Sequence, residues 1–188
     1  MNDSRHSRDG FFSRTFARFR PRGQLIDPKF RANPSRYVFQ CLLVCLTMLG
    51  VLTFLDAVYQ TVLIAALGAS SVIAFSAPSM RASRPRSLIG GYLIGALVGC
   101  LLSSLIGLAN ESNMIDPHSL AIVLGALAVG LAMFLMATTD TEHPPGAAIA
   151  LGFVLNEWDM LTVLVVIIGI ILISLVKELA RNWLIDLL

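Results

Sequence analysis

LIGGYLIGALVGCLLSSLIGL, residues 88–108, runs for 21 residues without one formal charge. At about 1.5 Å per residue a helix of that length crosses a hydrocarbon core of about 30 Å, and no alternation of period two marks it as a barrel strand. Inside lipid each backbone donor and acceptor must be satisfied within the segment, so the stretch predicts a transmembrane helix. Four more uncharged runs lie on either side of it, at 38–55, 61–77, 120–138 and 160–176. The chain therefore reads as all-α, a polytopic helical bundle of about five spans.

Composition agrees. The 188 residues are 56% hydrophobic and 14% charged, with a mean hydropathy of +0.76. That leaves too little polar surface to coat a soluble globule of this size. One transmembrane domain is expected over 37–188, preceded by an arm at 1–36. The first apolar run begins only after 37 residues and no small-residue cleavage site follows it, which argues against a cleaved signal peptide.

Charge is unevenly placed. Nine of the fourteen Lys and Arg residues lie between Arg5 and Arg36. The loop 78–87 adds Arg81, Arg84 and Arg86, while the connections at 56–60 and 109–119 carry only Asp56, Glu111 and Asp116. The positive-inside rule then puts the N-terminus in the cytoplasm of a cell whose plasma (inner) membrane holds the protein. Lys177 and Arg181 want the same side, which requires one further crossing between Thr139 and Asp159. In the arm, Phe11, Phe12, Phe16 and Phe19 interleave with Arg14, Arg18 and Arg20. Such a segment is either a disordered basic tail or an interfacial helix against anionic lipid. Nothing in the pattern points to nucleic acid.

The extra crossing contains Thr139-Asp140-Thr141-Glu142-His143-Pro144-Pro145-Gly146-Ala147-Ala148 and then the apolar run Ile149 to Leu155. Two consecutive prolines forbid a continuous helix, so a half-helix is expected from Gly146 to Asn156, with 139–145 extended before it. Broken passages of this kind hold substrates and ions in transporters. The free amides of Gly146, Ala147 and Ala148, at the positive end of the half-helix, would face an incoming anion, with His143 adding a proton or a hydrogen bond. Asp140 and Glu142 are proton-linked candidates. Arg84 and Arg86 either attract an anion at the cytoplasmic mouth or simply fix topology.

The run Glu142 to Ala147 resembles the signature of the HPP family of small integral membrane proteins. A second stretch is similar to that family's other long pattern: Gly68-Ala69-Ser70-Ser71-Val72, Pro78, Arg84-Pro85-Arg86, Ile89-Gly90-Gly91, and Gly95 to Gly99. Together they cover about Leu63 to Leu155. Against the family pattern, Arg84 stands where Gln is usual, Tyr92 where His is usual, Asp140 where Gly is usual, and Glu142 where an apolar residue is usual. The resemblance implies a transporter of a small monovalent anion, nitrite above all. It implies Pro144 and Pro145 as part of the substrate-binding segment with His143, Gly146, Ala147, Ala148, Arg84 and Arg86.

Other classes are less well supported. Cys41, Cys45 and Cys100 lie in apolar runs, and the three histidines have no ligand spacing, so no metal, cofactor or catalytic residue is expected. An intramembrane enzyme is the weakest alternative, and a scaffold or sensor bound through the basic arm is the other. Gly91, Gly95 and Gly99 repeat along one helix face and offer a close-contact surface, from which a homo-oligomer is expected.

Overall fold

Prolines start four of the helices. Pro34, Pro85, Pro117 and Pro144 each stand at the first helical position, where the missing N–H has no intrahelical partner to lose. In the computed structural model, which describes residues 32–55, 61–112 and 116–187, the elements are α1 (Pro34–Leu55), α2 (Thr61–Ser76), a 3-10 turn (Arg81–Ser83), α3 (Pro85–Ser112), α4 (Pro117–Thr139), α5 (Pro144–Leu155) and α6 (Met160–Ala180). Nearly all of the basic arm, including the interleaved residues Phe11 to Arg20, lies outside the described residues. Ser35–Leu188 form one compact unit.

All five expected spans are helical, and the chain is a helical membrane bundle. Among the described residues three helices are long and apolar enough to cross a membrane, Pro85–Gly107, His118–Thr139 and Met160–Ala180, while Pro34–Gly50, Leu63–Ser76 and Pro144–Leu155 are shorter. Large apolar side chains such as Leu46, Leu97, Val123, Leu161 and Leu179 remain exposed, as lipid-facing residues should be.

Caps set the ends. Asp116 accepts from the Ser119 amide at 2.9 Å, and Asp159 closes a reciprocal capping box with Thr162, so α4 and α6 both begin on a carboxylate that meets otherwise unpaired donors. These hydrogen bonds, that of the Ser119 or Thr162 hydroxyl first and that of the amide second, hold both exposed carboxyls below the usual carboxylate range. α4 stops at Asp140, which is left-handed (φ 55°, ψ 42°), and the Thr141 amide turns back to the Met136 carbonyl at 3.0 Å.

The core of the fold is the pairing of α3 with α5, which run in the same direction. A Cβ at Gly91 would lie 2.7 Å from His143 Cβ, one at Gly95 would collide with the Gly146 carbonyl oxygen, and one at Gly99 would lie 2.7 Å from the Ala150 oxygen. The glycine face is therefore consumed within the chain. It is not a free surface for a second copy, because α5 carries small residues at the matching positions and the two backbones meet.

One correction concerns the broken passage. The half-helix starts at Pro144 and not at Gly146, and the non-helical residues are divided: Asp140 to His143 lie before α5, and Asn156 to Asp159 follow it. By helix rise, Gly91 is about 9 Å and Ser103 about 27 Å along α3 from Pro85. α5 thus occupies the middle of the bundle, its start level with Gly91. Its far end is level with Ser103, which accepts from Trp158 Nε1 at 3.0 Å.

The second correction is Lys177. Its side chain is 8% exposed and paired with Glu178 at 2.8 Å, so it is a buried part of α6 and not a solvent-facing topology marker. Arg181 is exposed, as expected.

The last residues close the end of the bundle at which α1 begins. Arg36 donates to the Trp183 carbonyl, Tyr37 to that of Leu187, and Gln40 Nε2 to those of Phe75 and Ile185. The Leu187 amide donates to the Ser76 carbonyl at 2.7 Å. This seam joins α1, α2 and the C-terminal segment.

Candidate functional site

His143 decides how the break is built. Its backbone is extended (φ −146°, ψ 99°) as the N-cap of α5, and its ring is 1% exposed. Nδ1 lies 2.9 Å from the Ala82 carbonyl and Nε2 lies 2.8 Å from Ser70 Oγ. Ser70 Oγ is also 2.8 Å from Tyr92 Oη and 2.9 Å from the Ala66 carbonyl. The Tyr92 ring, itself 0% exposed, sits 5.7 Å from the imidazole. One imidazole therefore ties the break to α2, to α3 and to the basic loop.

A second layer of contacts closes the same end. Arg81 pairs with Asp140, and Arg86 Nη2 donates to the Thr139 carbonyl at 2.8 Å. Thr139 and Thr141 share a hydroxyl contact of 2.8 Å. Ser83 holds the 3-10 turn onto α2 through the Ile73 and Ala77 carbonyls. Two of the loop's three arginines thus lace it to the break, Arg86 by meeting a carbonyl that the end of α4 leaves open.

The expected site residues fall into two groups. His143, Pro145 and Gly146 are buried, Ala147 and Ala148 are half-buried, and Pro144, Arg84, Arg86, Asp140 and Glu142 are exposed. His143, Arg86 and Asp140 do not touch one another, but each makes one of the contacts that tie the break to the loop 78–87. Arg84 and Glu142 do not join them. The Arg84 side chain makes no hydrogen bond or ion pair among the described residues, and only its backbone is bonded, to Arg81 and Leu88.

The expected open amide at Gly146 is a correction. Its N–H donates to the His143 carbonyl at 2.8 Å. The two prolines remove the donors of the first two helical positions, and the first real donor closes on the N-cap residue. Gly146 also has no open space before it: a Cβ there would lie 2.5 Å from the Gly91 oxygen and 2.9 Å from Met136 Cε.

Ser70 and Tyr92 are functional candidates that sequence reasoning passed over. In the sequence Ser70 stands out only as part of the second family pattern, and Tyr92 only for standing where His is usual. That departure was the available signal, because position 92 touches the histidine of the motif.

An open hollow of about 590 Å³ lies at the other end of α5, lined by residues that include Ser103, Ser104, Asn156 and Trp158. It sits where α3 runs on past the end of the shorter helix. Among the described residues no cluster of His, Cys, Asp and Glu could hold a metal ion.

Comparison with known proteins gives one family match and two relatives. The family described as "HPP, transmembrane region" matches residues 29–185. A transmembrane protein of Dictyostelium discoideum is 39% identical over 97 residues, which are 52% of this chain and 31% of that protein. A second transmembrane protein of the same organism is 35% identical over 89 residues, 47% of this chain and 26% of the relative. The alignments therefore span about a third or less of the curated relatives. No solved structure matches.

Proposed function

This chain belongs to the HPP transmembrane family, and from that premise we propose that it carries a small monovalent anion, nitrite first among them, across the membrane. The observation that carries the reading is the buried histidine at a break in the bundle. Non-helical backbone at membrane depth is found where protein buries it or where it lines a path, and an ionisable side chain there is a functional candidate. His143 meets both conditions, since the residues before it are non-helical and its ring is buried. Arg81, Arg84 and Arg86 supply positive charge where an anion would meet the cytoplasmic end, and the hollow beside Ser103 and Asn156 gives the other end of α5 an opening.

In this reading His143, Arg84 and Arg86 act on the substrate, with Pro144 to Ala148 as the rigid element that positions it. Gly146, Ala147 and Ala148 contribute the positive end of the α5 dipole and not open amides. The N-terminus and the C-terminal segment lie in the cytoplasm and the 109–119 connection lies outside, in a plasma membrane. The test is uptake into proteoliposomes of nitrite, nitrate, chloride and formate, each against protein-free vesicles. Nitrite uptake above that baseline is the expected result, and no uptake of any of the four ends the proposal.

A further inference from the structure

We propose that His143, Ser70 and Tyr92 form a proton-carrying site, so that one proton travels with each monovalent anion and transport is electroneutral. This rests on the anion-transport reading above and adds the coupling ion to it.

The warrant is a count of donors. The Ala82 carbonyl can only accept, so Nδ1 of His143 carries a proton and donates it there. Ser70 Oγ has three neighbours at hydrogen-bond distance: the Ala66 carbonyl, Tyr92 Oη and His143 Nε2. The phenol proton serves the contact with Tyr92. The one hydroxyl proton of Ser70 must then choose between Nε2 and the Ala66 carbonyl, so a neutral imidazole leaves the cluster one proton short of its contacts. A proton on Nε2 makes all three: Nε2–H donates to Ser70 Oγ, and the Ser70 hydroxyl turns to the Ala66 carbonyl. No heavy atom has to move. The cluster holds either state by rotating one O–H bond.

The added positive charge lacks a partner. From α2 the side chain facing the imidazole is Ser70, from α3 it is Tyr92, the titratable group in ring contact, and from the basic loop the contact is a carbonyl. Of the carboxylates on the break itself, Asp140 is paired with Arg81 and Glu142 is exposed. On α6 the buried Lys177 is paired with Glu178. Arg81, Arg84 and Arg86 are exposed cations. A buried charge without a counter-charge is unfavourable, and an anion entering beside His143 supplies the missing one. Proton and anion therefore strengthen each other's binding by the same factor, as linkage requires. They enter together as one positive and one negative charge, and on the far side Nε2 releases its proton as the anion leaves.

The experiment loads nitrite outside proteoliposomes whose exterior is one pH unit more acidic than the interior, with protein-free vesicles subtracted to remove passive entry of nitrous acid. One-to-one coupling predicts accumulation of about tenfold per pH unit, unchanged when valinomycin and potassium set a membrane potential of either sign. Uptake that follows an inside-positive potential and ignores the pH gradient would overturn the proposal while leaving anion transport intact. No uptake at all would sink both. His143→Gln, which keeps a donor and an acceptor but takes no proton, is expected to lose pH-driven accumulation, and whatever nitrite flux it retains should run only downhill. If that variant is absent from the membrane fraction, Ser70→Ala replaces it, since it removes the hydroxyl that receives the Nε2 proton and should weaken the coupling. Tenfold accumulation persisting in either folded variant would place the proton elsewhere.

Discussion

Gly95 lies flat against the carbonyl of Gly146, so α3 and α5 touch backbone to backbone with no side chain between them. That contact fixes the depth of the break, because Thr141, His143, Gly146, Ile149, Ala150 and Phe153 are set in turn against the Gly90, Gly91, Gly95 and Gly99 ladder. Overpacking a well-filled site costs about 1–3 kcal/mol, and backbone cannot yield as a side chain can. Gly95→Ala should lower stability by an amount in the upper part of that range, and Gly95→Leu by more. Gly130, with nothing within 4 Å of an added Cβ, is the control: Gly130→Ala should be neutral or stabilising by up to about 1 kcal/mol through helix propensity. Thermal unfolding in detergent checks both. A Gly95→Leu protein of unchanged stability would contradict the packing described.

Asp140 explains one departure from the family pattern. Its left-handed backbone, φ 55°, is the conformation that favours glycine at a helix end, and Asp tolerates it better than most residues. Asp140→Gly should relieve about 1 kcal/mol of strain while losing an exposed pair with Arg81 that is worth about 0–1 kcal/mol. Asp140→Ala loses the pair and keeps the strain. The expected order of melting temperatures is Gly at or above Asp, then Ala, then Val. Ala equal to Gly would show that the backbone at 140 is not left-handed.

The arginines should separate in an uptake assay. Arg86→Ala removes the bond to the Thr139 carbonyl and one cation at the mouth, and Arg84→Ala removes only a cation. Both should lower nitrite uptake, with the Arg84→Ala loss shrinking as salt screens the field. Arg181→Ala, on the exposed end of α6, should leave uptake near the wild-type rate. Equal losses in all three would mean that general basicity and not position matters. Lys177 is unsuited as a control because it is buried.

The two capping acids set a pH dependence whose sign is fixed. Asp116 and Asp159 are held below the usual carboxylate range by the Ser119 and Thr162 hydroxyls and amides. A carboxyl depressed in the folded state stabilises above its unfolded value, and that contribution is lost as pH falls through the folded one. The first turns of α4 and α6 should therefore fray as pH drops below the ordinary carboxylate range. Hydrogen exchange at Ser119 and Thr162 reads this directly, and Asp159→Asn should flatten the response at Thr162 alone.

Topology can be tested by labelling. Single cysteines introduced at Ser79 and at Asn113, in a background with Cys41, Cys45 and Cys100 replaced, should react from opposite sides of the membrane, with Ser79 on the cytoplasmic side. Reaction of both from one side would mean that α3 does not cross, and a third cysteine, at Arg181, reacting from the same side as Asn113 would make 139–159 a re-entrant hairpin and not a crossing.

Much of the fold was legible from charge-free length and proline. The expected span 88–108 lies inside α3, and 160–176 lies inside α6, because lipid leaves such segments no other structure. The exact start of α5 was not legible: two prolines are as compatible with helix positions one and two as with an extended lead-in, and packing against Gly91 decides between them. The candidate site was half visible. His143 announces itself by its motif, but Ser70 is 73 residues away, and only the crossing of α2 with the break brings its hydroxyl to the ring. The glycine repeat was read correctly as a close-contact face. Its partner could not be read, since small residues on α5 and on a second molecule look alike in one sequence.

The seam between α1 and the C-terminal segment bears on how the protein is made. α1 carries a row of outward-facing side chains, Val38, Leu42, Leu46 and Leu49, and its Arg36, Tyr37 and Gln40 are anchored by carbonyls of Trp183, Ile185 and Leu187. The helix that leaves the ribosome early is therefore fastened by residues that leave it late. Until residue 187 has emerged, α1 is held to α2 through Gln40 and the Phe75 carbonyl, and a nascent chain stalled before that point holds every helix yet lacks the clasp that joins the first to the last.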